Sequence, residues 1–157
     1  MKKLLLTTAL VAIFGVANAQ EQGLIRVSAG LAYGTEIEEM GINFGGEYLI
    51  TDAISGGVSY TSFFVDDPAS FSSFNIDGRY YFLSDGPYVY GMAGVGIVKS
   101  KVDLGPFGSV SDSETGINLG AGALFPFSDN LGALTQIKYN TAGNGQLVLQ
   151  GGLAYTF

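Results

Sequence analysis

Residues 147–157, at the carboxyl end of the chain, alternate strictly between two kinds of side chain. They read LVLQGGLAYTF, and the apolar parity comprises Leu147, Leu149, Leu153, Tyr155 and Phe157. Such alternation predicts a β-strand, because successive side chains of a strand point to opposite faces. An apolar face that ends in aromatic residues is typical of transmembrane β-barrels, whose outer surface contacts lipid.

The amino end of the chain has the organisation of a secretory signal peptide. A basic start with Lys2 and Lys3 precedes the apolar residues 4–16, and Ala17-Asn18-Ala19 supplies a small-x-small cleavage site. We predict a signal peptide at residues 1–19 and a single domain at residues 20–157. A membrane-spanning helix needs about 20 residues, and this apolar run is shorter. We therefore expect the run to direct export of the chain without anchoring the chain in a membrane.

Composition narrows the class of protein further. Without Lys2 and Lys3, five of the seven basic residues remain against 14 acidic ones, a net charge of 5 − 14 = −9, which argues against a nucleic-acid partner. Charged residues make up 13% of the chain, below the about 25% of soluble proteins. The chain has no Cys for a disulfide framework and no later apolar run long enough for a membrane helix. A closed barrel is the remaining structure that satisfies its backbone in lipid.

Turn-forming residues divide the chain into eight segments with alternating tight turns and longer loops. We predict strands at 24–34, 40–50, 53–65, 73–83, 88–102, 114–125, 131–140 and 146–157. The longer loops cover 35–39, 65–73, 103–113 and 141–145. The sequence therefore predicts an all-β fold, an eight-stranded antiparallel up-and-down transmembrane β-barrel with both termini at the end of the tight turns.

Strand parity predicts which side chains face lipid and which face the lumen. The polar parity consists mainly of Gly, Ser, Ala and Asn, which suit a narrow lumen better than the charged exterior of a soluble, lipocalin-like barrel. Aromatic residues near the predicted strand ends, Phe63 and Tyr90 among them, are expected to form interfacial girdles. Parity does not assign the faces of the segment 88–102.

The signal peptide, eight strands, Gly-rich alternation and terminal LAYTF resemble the small eight-stranded outer-membrane β-barrel family of the OmpA/OmpX type. The resemblance implies an integral protein of the outer membrane of a Gram-negative bacterium, in contact with lipid and lipopolysaccharide, and we expect it to be a monomer. It also implies that Leu153, Tyr155 and Phe157 form the signal read by the barrel-assembly machinery. These residues are equally explained as a lipid-facing girdle, and both roles are compatible.

Charged residues on the polar parity form a candidate lumen network. Arg26 and Glu47 are expected to lie opposite each other across the first hairpin, Asp77 and Arg79 share a face, and Lys138 joins this set. Buried charges are tolerated when they are paired and hydrogen-bonded. Such pairs gate a small conductance or plug the barrel, and we favour a plug because side chains fill an eight-stranded interior. Near the rim, Lys99 is expected to meet Glu114.

Acidic residues in the predicted outer loops form a candidate cation site. They are Glu36, Glu38, Glu39, Asp66 and Asp67. Carboxylates bind Ca²⁺ or Mg²⁺, which could bridge to lipopolysaccharide phosphates, but the spacing matches no EF-hand loop. A solvated, self-repelling loop surface explains the same residues.

The sequence favours a non-enzymatic envelope protein with a structural role or an adhesin-like surface interaction through its acidic loops. Lipid-modifying relatives in the resembling family depend on His, and this chain contains neither His nor Cys for the common nucleophile and base pairs. We expect no cofactor. The alternative is a narrow porin-like barrel, or one that binds a lipid or small molecule.

Overall fold

Eight antiparallel strands follow one another and close into a barrel in the computed structural model, which describes residues 22–83 and 86–157. The strands are β1 (Ile25–Gly34), β2 (Glu39–Leu49), β3 (Ile54–Phe63), β4 (Ala69–Leu83), β5 (Tyr88–Asp103), β6 (Ser109–Pro126), β7 (Leu131–Asn140) and β8 (Gln146–Thr156). Each strand pairs with its neighbours in sequence, and β8 pairs with β1. The predicted eight-stranded up-and-down fold is confirmed. The predicted signal peptide at residues 1–19 lies outside the described residues.

The two ends of the barrel differ in their connections. At one end, called the turn end, residues 50–53, 84–87 and 127–130 join the strands, and the chain enters β1 and leaves β8. At the other, called the loop end, residues 35–38, 64–68, 104–108 and 141–145 join them, with a 3-10 turn at Gly105–Phe107. Within the described ranges, no helix is long and apolar enough to cross a membrane.

Two strands begin earlier than the sequence predicts. β4 starts at Ala69, although we expected a loop up to residue 73, and β6 starts at Ser109, although we expected a loop up to residue 113. These Ser-rich stretches have the composition of loops, yet their backbones pair with β5, as in Ser70 with Lys101. Ladder hydrogen bonds join backbone groups and need no apolar side chains. The middle of the barrel wall is therefore taller at the loop end than its flanks.

The outer wall is apolar, as parity predicts. Side chains on this face are largely exposed, for example Leu31 at 53%, Ile76 at 53% and Leu119 at 56%. The structure also assigns the faces of β5, which the sequence left open: Tyr90 and Met92 are buried in the lumen. The alternation of apolar and polar residues is weak in β5 because small residues, Gly and Ala, occupy positions on both of its faces.

Two apolar clusters close the lumen above and below its polar middle. Ala32, Phe63 and Val148 pack together near the loop end, and Phe71 packs against them with its ring 5.6 Å from that of Phe63. Tyr81, Tyr90 and Met92 form the second cluster, nearer the turn end. The assignment of Phe63 and Tyr90 to interfacial girdles was wrong, because both side chains point inward and are at most 5% exposed. A position near a strand end does not decide the face.

The barrel closes where β1 meets β8. Gly30 pairs with Gly152 in this register. A Cβ atom added to either glycine would lie 2.6 Å from the Cα atom of the other, which is closer than any real Cβ contact. Two glycines facing each other therefore let the first and last strands approach closely enough to complete the ring.

Candidate functional site

The carboxylate of Glu47 on β2 is the centre of a buried hydrogen-bond network in the lumen. Its Oε2 atom accepts from Arg26 Nη1 at 3.2 Å and from Arg79 Nη1 at 2.7 Å. Its Oε1 atom accepts from the hydroxyl of Tyr81 at 2.5 Å and from the hydroxyl of Ser55. Only 3% of the Glu47 side chain is exposed. Four donors on three strands, β1, β3 and β4, thus converge on one carboxylate.

The two arginines extend this network across the lumen. Arg26 also donates to the Tyr81 hydroxyl at 2.9 Å and to Thr156 at 3.1 Å. The guanidinium of Arg79 lies 5.0 Å from the centre of the Tyr90 ring, a distance suited to a cation–π contact. Tyr90 donates in turn to Gln136 Oε1 at 2.9 Å. Gln136 Oε1 also accepts from Arg79 Nη2 at 3.5 Å. Six strands, β1, β3, β4, β5, β7 and β8, are therefore tied to Glu47 directly or through one intermediate.

A second polar group lies closer to the loop end. Lys138 Nζ is 3.6 Å from Asp77 Oδ2, and Lys138 is 2% exposed. Asp77 Oδ1 accepts from Asn118 Nδ2 at 2.7 Å, and Asn118 Oδ1 accepts from Asn140 Nδ2 at 2.6 Å. A Cβ atom added to Gly94 would meet the Asp77 side chain and the β4 backbone. The lumen has no spare volume at this level.

The structure brings all five predicted lumen charges inside the barrel and assigns their partners. Arg26 lies opposite Glu47, as the hairpin register requires. Arg79 contacts Glu47 and not Asp77, its neighbour two positions away, which contacts Lys138. The three ion pairs that the described residues form in the lumen therefore join different strands. Sequence reasoning missed Ser55, Tyr81 and Gln136, although the inward parity of Tyr81 was visible.

A cleft of about 170 Å³ opens at the loop end, above the apolar cluster of Phe63. We call it the vestibule. Its lining includes Phe71, Val98, Glu36, Asp112, Glu114 and Gln146. Gln146 is 8% exposed, and its Nε2 atom has no hydrogen-bond partner among the described residues. The vestibule therefore combines carboxylates, an apolar wall and one unused buried donor.

The strands β5 and β6 continue beyond the vestibule as a projecting hairpin, residues 97–115. All its side chains from Lys99 to Thr115 are exposed, and Phe107 at the tip is 90% exposed. The expected contact between Lys99 and Glu114 was wrong. Glu114 pairs in register with Val98, so its side chain shares the inner face with Val98 while Lys99 points outward.

The remaining predicted site residues lie on the surface. Leu153, Tyr155 and Phe157 face outward, with exposures of 57%, 39% and 66%, and the last two rings contact each other at 4.8 Å. Their role in assembly stays a prediction. Among the acidic loop residues, Glu36, Glu38, Asp66 and Asp67 are exposed and Glu39 is half-buried. In the described part of the chain, no three acidic groups are close enough to hold a metal ion, so the cation site has no geometric counterpart.

Comparison with known proteins gives the same architecture. The solved structures similar to this chain include the N-terminal β-barrel domain of OprF from Pseudomonas aeruginosa, at 19% identity and a TM-score of 0.74, covering 88% of this chain and 100% of that domain. They also include Ail, the attachment invasion locus protein of Yersinia pestis, at 20% identity and a TM-score of 0.65, covering 87% and 99%. Neisserial surface protein A is similar at 18% identity and a TM-score of 0.66, covering 85% and 96%.

At these identities the likeness shows the fold alone. No curated protein matches the sequence. The family model described as the outer membrane protein beta-barrel domain matches residues 6–157, nearly the whole chain. With a closed eight-stranded barrel, an apolar outer wall and a polar lumen, the chain belongs to the outer membrane protein β-barrel domain family and is an integral protein of the outer membrane.

Proposed function

We propose that this protein is a non-enzymatic, non-conducting barrel that anchors a surface-interaction hairpin outside a Gram-negative cell. The loop end faces outward, and the termini face the periplasm. The observation that carries the proposal is the projecting hairpin, which holds Leu104 and Phe107 away from the barrel at 48% and 90% exposure. The barrel is then the anchor, and the hairpin tip is the contact surface.

The exposed tip supports an adhesin-like role because a partner that covered it would gain free energy by burying its apolar surface. Fully burying a Phe side chain stabilises a protein by about 1.5–3 kcal/mol, and Phe107 obtains almost none of this. Exposed aromatic and aliphatic groups commonly mark binding surfaces, and aromatic residues often contribute much of the binding energy. Gly105 and Gly108 both have positive φ, at 61° and 94°, so glycine permits the reversal of the chain that presents Phe107 at the tip.

The filled lumen argues against the porin-like alternative. Ions crossing the barrel would have to pass the Phe63 cluster, the Asp77 and Lys138 level, and the Glu47 network. Each level is occupied by buried side chains. We expect negligible conductance for the purified protein in planar lipid bilayers, and stable open-channel currents would contradict the closed barrel.

Adhesion of whole cells tests the hairpin. Cells that express the wild-type protein, Phe107→Ser or Phe127→Ser are compared on apolar polystyrene and on polar glass, at equal surface levels of protein. Phe127 is a matched control, since it is 62% exposed but lies at the turn end. We expect Phe107→Ser to reduce adhesion severalfold and Phe127→Ser to leave it unchanged. Equal adhesion of all three strains on both surfaces would refute the role of the hairpin tip.

The vestibule favours one further candidate function, the binding of a small organic amine. Glu36, Asp112 and Glu114 would accept from its ammonium groups, Phe71 would cover its apolar part, and Gln146 Nε2 would donate to a carbonyl or hydroxyl oxygen. Calorimetric titration with N1-acetylspermidine, which has ammonium groups, a methylene chain and one carbonyl oxygen, tests this. We expect saturable binding that Glu114→Gln weakens, and the absence of binding heat would remove this candidate.

A further inference from the structure

The basic side chains of the described residues fall into two groups with different surroundings. Arg26, Arg79 and Lys138 are in the lumen, where they contact Glu47 or Asp77. Lys99 and Lys101 are exposed and share the outer face of β5. Acidic residues dominate the rest of the loop end. Among residues 22–83 and 86–157, the basic side chains outside the lumen network therefore lie together on one small part of the outer wall.

This part of the wall is an ordered array of polar side chains on three paired strands. Ser72 of β4, Lys99 of β5 and Ser113 of β6 form one cross-strand row, and Ser70, Lys101 and Ser111 form the next. We call these six residues the basic shelf. Residues of one row lie side by side on the same face, and successive rows are about 7 Å apart along the strands. Each lysine thus has a serine on either side.

The basic shelf begins where the apolar outer wall ends. The row immediately towards the turn end contains Phe74, Ile97 and Thr115, with Phe74 42% exposed and Ile97 36% exposed. Ile76, Val95 and Ile117 follow in the next row. Residues two positions apart on one strand, such as Ile97 and Lys99, therefore differ sharply. The first can contact acyl chains, and the second belongs to a row of ammonium and hydroxyl groups. A lipid headgroup occupies the corresponding boundary in a membrane.

We propose that the basic shelf binds the phosphate of a phosphorylated glycolipid of the outer leaflet, with its acyl chains on the wall around Phe74 and Ile97. Lysine ammonium groups bind phosphate as point charges, and the flanking serine hydroxyls donate further hydrogen bonds. This is a site on the wall of the barrel, separate from the hairpin tip and from the acidic loops.

The surrounding charges favour a membrane lipid over a soluble anion. The loop end also carries Glu36, Asp66, Asp67 and Asp103, which repel anions arriving from solution. A lipid arrives laterally, beneath these loops. Asp103 follows Lys101 by two residues on the same face of β5, and its Oδ1 atom accepts from the backbone N–H of Gly105 at 2.9 Å. Asp112 and Glu114 lie on the opposite face of the hairpin.

The test measures lipid binding by the full-length protein in neutral detergent micelles. Bis-phosphorylated lipid A and its dephosphorylated form are titrated against the wild type, the double variant Lys99→Gln/Lys101→Gln and the charge-preserving double variant Lys99→Arg/Lys101→Arg. A lysine near an anionic lipid surface contributes about a fivefold change in affinity, so the Gln variant is expected to bind lipid A about 30-fold more weakly. The Arg variant is expected to bind like the wild type.

Further arms separate the sources of phosphate and control for folding. The wild type is expected to bind lipid A more tightly than dephosphorylated lipid A. Inositol hexaphosphate, a soluble phosphate compound, is expected not to displace bound lipid A. Equal affinities of the wild type and the Gln variant, or equal binding of the two lipids, would overturn the proposal. Displacement by inositol hexaphosphate at equal concentration would also overturn it in favour of a soluble-anion site. Heat-dependent mobility on SDS gels verifies that all variants form closed barrels.

Discussion

Replacing Glu47 with Gln should destabilise the barrel more than any other single neutralisation of a carboxylate at its centre. The substitution keeps the size of the side chain and removes its charge. The wild-type carboxylate contacts Arg79 at 2.7 Å and Arg26 at 3.2 Å, and the three side chains are 3%, 12% and 5% exposed. After the substitution, two buried guanidinium groups share the lumen without a counter-charge.

The remaining contacts compensate only in part. Arg26 keeps its bonds to Tyr81 and Thr156, whereas Arg79 keeps a long 3.5 Å contact with Gln136 and the face of the Tyr90 ring. Removing one partner of a buried ion pair typically costs about 3–5 kcal/mol. We expect Glu47→Gln to lower the free energy of unfolding by this amount. The matched control Glu36→Gln changes an exposed loop carboxylate and should stay within about 0.5 kcal/mol of the wild type.

Urea unfolding of the protein in lipid vesicles provides the measurement. The chain has nine Tyr and no Trp, so tyrosine fluorescence and circular dichroism report the transition. The double variant Glu47→Gln/Arg79→Gln should lose less stability than the sum of the single variants, because neighbours in one network couple by about 0.5–3 kcal/mol. A Glu47→Gln protein within about 1 kcal/mol of the wild type would show that the network is not what holds the lumen together.

Three further predictions concern packing, assembly and closure. Gly94→Ala should cost about 1–3 kcal/mol, because its new Cβ would lie 2.7 Å from the Asp77 Cα atom, whereas Gly151→Ala, with nothing within 4 Å, should cost nothing measurable in the same urea assay. Phe157→Ser should reduce the amount of protein in the outer-membrane fraction without lowering the stability of refolded protein, and unchanged insertion would remove Phe157 from the assembly signal. The unboiled wild-type protein should migrate differently from the boiled protein on an SDS gel, and identical mobility would contradict a closed, SDS-resistant barrel.

The local sequence pattern was enough to predict the fold. Successive side chains of a barrel strand face lipid and lumen in turn, so apolar and small or polar residues alternate along the sequence. The apolar parity of β8 and the opposition of Arg26 to Glu47 both follow from period two and from the length of a hairpin connection. The pattern gave wrong strand boundaries where a segment has the composition of a loop but pairs as a strand. The starts of β4 and β6 read as loops, since serine is common in turns, although their backbones continue the ladder with β5.

The centre of the site was less accessible from the sequence. Arg79 and Glu47 are on strands that are not neighbours, and their contact depends on how the strands stagger around the ring. The residues adjacent in sequence to Arg79 or Glu47 do not indicate this stagger. Strand parity in the sequence identifies which charged residues face the lumen, including Asp77 and Lys138. Their partners are determined only by the geometry of the closed barrel.

The seam between β1 and β8 has a consequence for the order in which the molecule is made. Every other strand pair is joined by no more than five residues, so each hairpin can form as soon as its two strands are available. The seam joins Arg26 to Thr156, nearly the two extremes of the folded domain. The entropy lost on closing a loop grows with its length, so this pairing is the least favourable to form first. Until it forms, both terminal strands have unpaired edges that can join other chains. The last strand of the barrel, β8, is therefore the one whose pairing most needs to be guided.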